Sequence, residues 1–222
     1  MNTQAARFRV VKLGGSLLDL ADLTPRLRRW LALGPQRCNV IVVGGGRLAD
    51  AIRDYDKFHA LGETASHWLC LRAMSINAEL VAALLPEALL VHSLAELHQI
   101  PTATGPVIFD AWTFLRDEEP KLVAEPLPAS WQVTSDSIAA RLAEILGGAE
   151  LVLLKSALPP AKSTVASAVA AGYVDGYFPI AARRLTRIEC VDLRSDHFNS
   201  VGGVTENSTY GPRAVRLVLC SR

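Results

Sequence analysis

Two rhythms of apolar residues alternate along this chain. Continuous apolar or β-branched runs at residues 7–14, 38–43, 88–92, 106–110, 150–154 and 187–193 fit strands, and the apolar run at 38–43 fits a parallel strand covered on both faces. Between them, apolar residues return every three or four positions, which predicts helices at 16–33, from about 48, over 62–85, and at 93–98, 137–147, 163–171 and 180–185. Within the longest, Leu71, Met74, Ala78, Val81 and Leu85 form the core stripe, with Trp68 on its flank and Arg72, Asn77 and Glu79 off it. Residues 111–132, which contain Asp117, Glu118, Glu119 and three prolines, read as a long loop. Residues 214–219 alternate and read as an edge strand. The pattern is that of an α/β chain.

Two strand ends carry the chemistry. The first strand runs into Lys12-Leu13-Gly14-Gly15-Ser16, and the second into Gly44-Gly45-Gly46-Arg47. Glycines let the backbone approach a ligand without a Cβ in the way, and Ser16 is placed to cap the helix that follows. Unpaired amides and the positive dipole end at each helix start favour an anion, phosphate above all. Two such turns at the carboxyl ends of parallel strands face one crevice in an open α/β sheet. The bland alternative is an ordinary strand–turn–helix corner with a surface lysine.

Gly44-Gly45-Gly46-Arg47-Leu48-Ala49 also fits the loose dinucleotide fingerprint. That site needs a second strand ending in an acid about twenty residues later, where this chain is helical. No Gly-x-x-x-x-Gly-Lys-Ser/Thr loop occurs. Thr134-Ser135-Asp136-Ser137 is a strong helix start, in which Asp136 complements the dipole. Lys155-Ser156 closes the fifth strand at the same edge of the sheet, although lysines are common at strand ends.

Composition narrows the classes. The chain has 222 residues, half of them hydrophobic, and a net charge of +1. A balanced charge without basic runs or aromatic platforms argues against a nucleic-acid partner. No run reaches membrane-spanning length and no signal segment is visible, so a cytoplasmic protein is expected. Cys38, Cys70, Cys190 and Cys220 form no Cys-x-x-Cys pair and read as buried free thiols. His67 and Cys70 have ligand-like spacing but no second pair, so no metal site is assigned.

Val11-Lys12-Leu13-Gly14-Gly15-Ser16, Val42-Val43-Gly44-Gly45-Gly46 and Thr134-Ser135-Asp136-Ser137-Ile138-Ala139-Ala140, followed by the strand at 151–154, resemble the motifs of the amino acid kinase superfamily. Acetylglutamate, carbamate, aspartate, uridylate and isopentenyl phosphate kinases share that fold. The resemblance implies one domain over 1–222, a three-layer αβα sandwich with a mostly parallel sheet. Its amino-terminal half would hold the phosphate acceptor and its carboxyl-terminal half ATP, with Mg2+ arriving on the nucleotide. It implies that Lys12 contacts the migrating phosphoryl group and that Gly14, Gly15, Gly44 and Gly45 donate amides around it, with Ser16, Gly46 and Arg47 in the same phosphate site. Asp136 would organise the lysines.

Many members continue the fifth strand with Thr-Asp and a glycine-rich loop, and place a second lysine much later. This chain has Lys155-Ser156-Ala157-Leu158-Pro159-Pro160. Lys155 is therefore the first candidate for the second cation and Lys162 the weaker one, with Ser156 and Asp175 assigned to the nucleotide side. The altered segment also motivates a rival reading, a non-catalytic binding or storage subunit on the same fold. Arg72-Ala73-Met74, Pro128-Ala129-Ser130-Trp131 and Tyr173-Val174-Asp175-Gly176-Tyr177-Phe178-Pro179 are similar to small kinases of methanofuran-type cofactor biosynthesis in methanogens and methylotrophic bacteria. That subgroup implies a phosphorylated aminomethylfuran as acceptor, with another small phosphate, a carboxylate or carbamate as alternatives. Its amine would need a carboxylate, for which Asp50, Asp54, Asp56 and Asp110 are candidates. The helix at 63–85 would pair with its twin in a homodimer.

Overall fold

The computed structural model describes residues 7–34, 37–101, 105–148, 150–195 and 214–218. Their strands form one sheet in the order β3-β4-β2-β1-β5-β6-β7. These are β1 (Phe8–Leu13), β2 (Cys38–Val43), β3 (Leu89–Val91), β4 (Val107–Phe109), β5 (Glu150–Lys155), β6 (Arg187–Asp192) and β7 (Ala214–Arg216). All neighbours pair parallel except β7, which lies antiparallel on β6. The chain leaves β1 toward β2 on one side and returns to its other side with β5. Strand order therefore reverses beside β1, and ligands of such sheets bind outside the carboxyl ends at that point.

The helices are α1 (Leu23–Leu33), α2 (Gly46–His59), α3 (Glu63–Leu84), α4 (Leu94–Gln99), α5 (Ala111–Thr113), α6 (Glu119–Leu122), α7 (Ser135–Ile145), α8 (Val165–Ala170) and α9 (Phe178–Ala181). Every residue of β1 and β2 is buried. Strand alternation sends their side chains to opposite layers. Phe8, Val10, Val40 and Val42 pack with Ile138, Ala139 and Leu142 of α7. Val11, Leu13, Ile41 and Val43 pack with Leu23, Leu27 and Trp30 of α1. Lys12 has the parity of Val10, so it stands on the α7 side.

Several expectations need correction. The helix expected over 16–33 is a 3-10 turn at Gly15–Asp19 followed by α1, because Leu20 is extended between them. Ser16 does not cap it: the cap position is Gly14, and the Ser16 hydroxyl faces Ser156 instead. The loop expected over 111–132 begins with α5, a π-helical turn at Phe114–Glu118 and α6. Its acids and prolines hid that reading. Phe114 and Leu115 enter the core, Pro120 sits in a first helical turn where its missing N–H costs nothing, and Glu119 is buried against Arg141 and the Leu127 amide. The helix expected over 180–185 is the shorter, earlier α9. Cys38 and Cys190 are buried, whereas Cys70 is only half-buried; all three are free, and Cys220 lies outside the described residues. No helix among the described residues is long and apolar enough to cross a membrane.

Candidate active site

The two glycine turns touch each other. A Cβ on Gly15 would stand 2.2 Å from the Gly46 nitrogen, and one on Gly44 would stand 2.8 Å from the Gly15 nitrogen. Gly46 also has φ of 51°, the left-handed region where a side chain is strained. These glycines serve the packing of one turn on the other as well as access to a ligand. Asn77 of α3 completes the arrangement. Buried inside that helix, it donates both amide hydrogens, to Gly44 O and Gly45 O, at 2.8 Å each.

The amides divide into two sets. Gly14 N donates to Leu154 O and Gly44 N to Leu13 O, so these two serve the sheet. This corrects the expectation that Gly14 and Gly44 donate to a ligand. The remaining amides open the 3-10 turn and α2, where helix starts have no internal acceptor: Gly15 and Ser16 on one side, Gly45 and Gly46 on the other.

A cleft of about 310 Å³ lies over these turns. Lys12, Gly14, Gly15, Ser16, Gly44, Gly45, Gly46, Lys155 and Ser156 all line it. Asp136 stands behind them, buried in the first turn of α7. Its Oδ1 is 3.0 Å from Lys12 Nζ, and its Oδ2 accepts a hydrogen bond from Lys155 Nζ at 2.8 Å. Lys155 also donates to the Tyr173 carbonyl, and its ammonium lies 4.7 Å from the Tyr173 ring centre. Register explains the convergence: Lys12 pairs with Leu153, so Lys12 and Lys155 leave adjacent strands two residues apart on one face.

Burial pushes the Asp136 carboxyl upward, but the two ammonium groups outweigh it and hold it below the usual carboxylate range. Burial, and then the like charge of Lys12, lower the Lys155 ammonium against the pull of Asp136. Two cations around one ionised carboxylate leave one net positive charge beside the amides, which suits a phosphoryl group.

Three expected residues stand elsewhere. Arg47 is exposed and pairs with Asp19 at 2.8 Å, away from the cleft. Lys162 is exposed and does not line it. Asp175 does not line it either; its carboxylate accepts from the Thr134 and Ser137 amides and hydroxyls. Burial raises its pKa, against those hydrogen bonds. Conversely, sequence reading put Asn77 off the core stripe of its helix and missed its buried place under the glycine turns, for which the only signal is an amide in an apolar helix. It also missed Arg53, which lines the far end of the cleft with its guanidinium 5.5 Å from the Trp131 ring centre.

The profile of the amino acid kinase family matches residues 7–157. The chain belongs to the amino acid kinase family. Every residue that lines the cleft lies within that matched region. Over 156 residues it is 26% identical to [5-(aminomethyl)furan-3-yl]methyl phosphate kinase of Methanocaldococcus jannaschii, covering 65% of this chain and 63% of that relative. The match thus spans less than two thirds of the relative's length. Among solved structures, the UMP kinases of Ureaplasma parvum and Bacillus anthracis each share 13% identity over 83% of this chain. They are covered to 88% and 86%, with TM-scores of 0.59 and 0.56. At that identity the likeness is one of fold, and the mostly parallel α/β sheet agrees with it.

Proposed function

We propose that this chain is a kinase, which transfers the γ-phosphoryl group of ATP to a small phosphate acceptor, [5-(aminomethyl)furan-3-yl]methyl phosphate, forming a diphosphate. The observation that carries the reading is the Asp136 carboxylate bridging two ammonium groups at the mouth of paired glycine turns. Phosphoryl transfer needs little covalent help from a protein. Its demands are alignment and neutralisation of spread negative charge.

In this reading Lys12 and Lys155 face the oxygens of the migrating group, and the Gly15, Ser16 and Gly46 amides hold it in line. Both Asp136 oxygens face ammonium groups, so Asp136 orients the lysines rather than taking a proton from the acceptor. The same occupancy leaves it unsuited to bind magnesium. Among the described residues no cluster of three or more acids, histidines or cysteines could hold a metal. Magnesium would be held by the nucleotide phosphates and would supply neutralisation of part of their charge. Ser156, beside Lys155, lies on the nucleotide side of the cleft.

The acceptor end supports a small ring with an amine. His67, Leu71, Met74 and Trp131 line it, together with Asp50. Of the four candidate carboxylates, Asp54 pairs with Lys57, Asp56 accepts from Gly62 N and Trp131 Nε1, and Asp110 accepts from Ser75 and Trp112 N. Asp50 lines the cleft and is the amine partner; its present partner, Arg53, exchanges toward solvent when the amine enters. The name of the M. jannaschii relative agrees with this acceptor. A homodimer through α3 fits the exposed apolar row Leu69, Ile76 and Leu80 on that helix.

The test is ADP release from Mg-ATP with the furan phosphate, its counterpart lacking the amine, UMP, carbamate and acetylglutamate. The amine-bearing phosphate is expected to give the highest kcat/KM. A higher value for UMP, carbamate or the carboxylate would replace this acceptor assignment.

A further inference from the structure

The turn between α8 and α9 reaches both halves of the carboxylate–lysine cluster without lining the cleft. Asp175 Oδ2 accepts from Thr134 N at 2.9 Å, Thr134 Oγ1 at 2.8 Å and Ser137 N at 3.1 Å, and Oδ1 accepts from the Ser137 hydroxyl. These donors flank Asp136 on both sides, so they fix the direction in which its side chain leaves α7. Two residues earlier, the Tyr173 carbonyl accepts from Lys155 Nζ, and its ring covers that ammonium. The turn is itself anchored at both ends. Tyr173 N donates to Ala168 O at 2.8 Å, and Tyr177 N donates to Gln132 O at 3.1 Å.

A helix start already has a capping side chain here, since Thr134 Oγ1 accepts from Asp136 N. That cap bond is long, at 3.5 Å, and meets one of the four amides such a start leaves unpaired. A second, mostly buried carboxylate spent on the same turn carries a desolvation cost that capping alone does not require. The extra constraint has a geometric consequence. Asp136 must place one oxygen near each of two lysines on separate strands, and a first turn free to rotate would lose one of them.

We propose that Asp175 is a positioning residue for phosphoryl transfer, acting with the Tyr173 carbonyl so that one turn sets Asp136 and Lys155 relative to Lys12. The inference goes beyond the proposed reaction and rests on it for its kinetic consequence. Asp175 touches neither substrate nor the migrating group. Its removal leaves binding groups in place and disturbs their alignment.

The experiment compares D175A and D175N with wild type and with L97A, a core truncation in α4, which lines neither the cleft nor the 173–177 turn. Two readouts are taken. The first is kcat per site, with sites titrated by a non-hydrolysable ATP analogue so that unfolded protein is not counted. The second is the slowly exchanging ammonium resonance of Lys155 in nitrogen-15 spectra, assigned by its loss in K155M. A displacement on the order of 1 Å costs about 100-fold, so D175A should lose about that factor in kcat with KM for ATP and acceptor within about threefold. It should also lose the resonance. D175N keeps an oxygen toward Thr134 and Ser137 N, and should recover both readouts to a large extent. L97A should lower the melting temperature while leaving both intact. Retention of the resonance in D175A, kcat per site within threefold of wild type, or an equal loss in L97A would each overturn the proposal. If wild type transfers phosphate to no acceptor, the kinase reading fails by itself, and the resonance alone then decides whether Asp175 positions Lys155.

Discussion

Replacing Lys155 by methionine separates catalysis from stability at this site. The change removes the charge and keeps most of the side-chain volume. Lys155 donates to Asp136 Oδ2 at 2.8 Å, and Lys12 stands 3.0 Å from Oδ1, so Asp136 retains one cation in the variant. Two effects on folding then oppose each other. The carboxylate loses a partner, but a buried ammonium whose pKa is held down by burial and by Lys12 is also removed. A depressed lysine disfavours the folded state at neutral pH, and wild type recovers that loss only as pH rises through the window between the folded value and the ordinary value of 10.5. The net change at pH 7 should stay within about 1 kcal/mol, or ~2–4 °C in melting temperature for a chain of this size. Transfer has no such compensation. At an effective dielectric of ~20, an ammonium about 4 Å from the developing charge contributes roughly 4 kcal/mol. Loss of one such group from a preorganised site typically lowers kcat by about 10²–10³-fold. Steady-state ADP release and scanning calorimetry on the same preparation measure both quantities. A folded K155M enzyme with kcat within threefold of wild type would refute the role of Lys155 as second cation.

Three further outcomes follow from the geometry. G15A drives a Cβ to 2.2 Å from the Gly46 nitrogen, a backbone atom that cannot turn away; overpacking of this kind costs about 1–3 kcal/mol, and the urea midpoint should fall by roughly 1 M. An unchanged midpoint would mean that the turns do not pack as described. N77A strips Gly44 O and Gly45 O of their donors; a loss of about 1–3 kcal/mol is expected, together with a higher KM for the phosphate acceptor, both read from melting curves and initial rates. Asp136 has a lowered folded pKa, so its contribution is complete above the ordinary carboxylate value near 3.8 and is lost as pH falls through the folded value. The melting-temperature gap between wild type and D136N should therefore narrow on acidification from pH 5 to pH 2, and a constant gap would contradict that sign.

Much of the sheet was legible because local pattern suffices for it. Val40–Val43 can be buried on both faces only in a covered parallel strand, and Gly44 after it marks a tight turn. Helix boundaries were less legible where long-range contacts chose them. Glu119 looks like a solvent acid, yet Arg141, far along the chain, gives it a buried partner. Arg47 follows the second glycine turn directly and reads as a phosphate ligand. Asp19, on the neighbouring turn, takes it instead.

The amino-acid order by itself determined the strand–glycine–helix units, their parallel arrangement and the presence of Lys12, Asp136 and Lys155 at element ends, since periodicity and backbone sterics act over a few residues. Tertiary structure decided which groups meet. The register of β1 on β5 brings two lysines to one carboxylate, the contact of Gly15 with Gly46 joins two turns into one cradle, and Asp175 leaves the nucleotide side for the start of α7. Those pairings depend on distances between segments remote in sequence. No local preference encodes such distances, and the packing of the whole sheet fixes them.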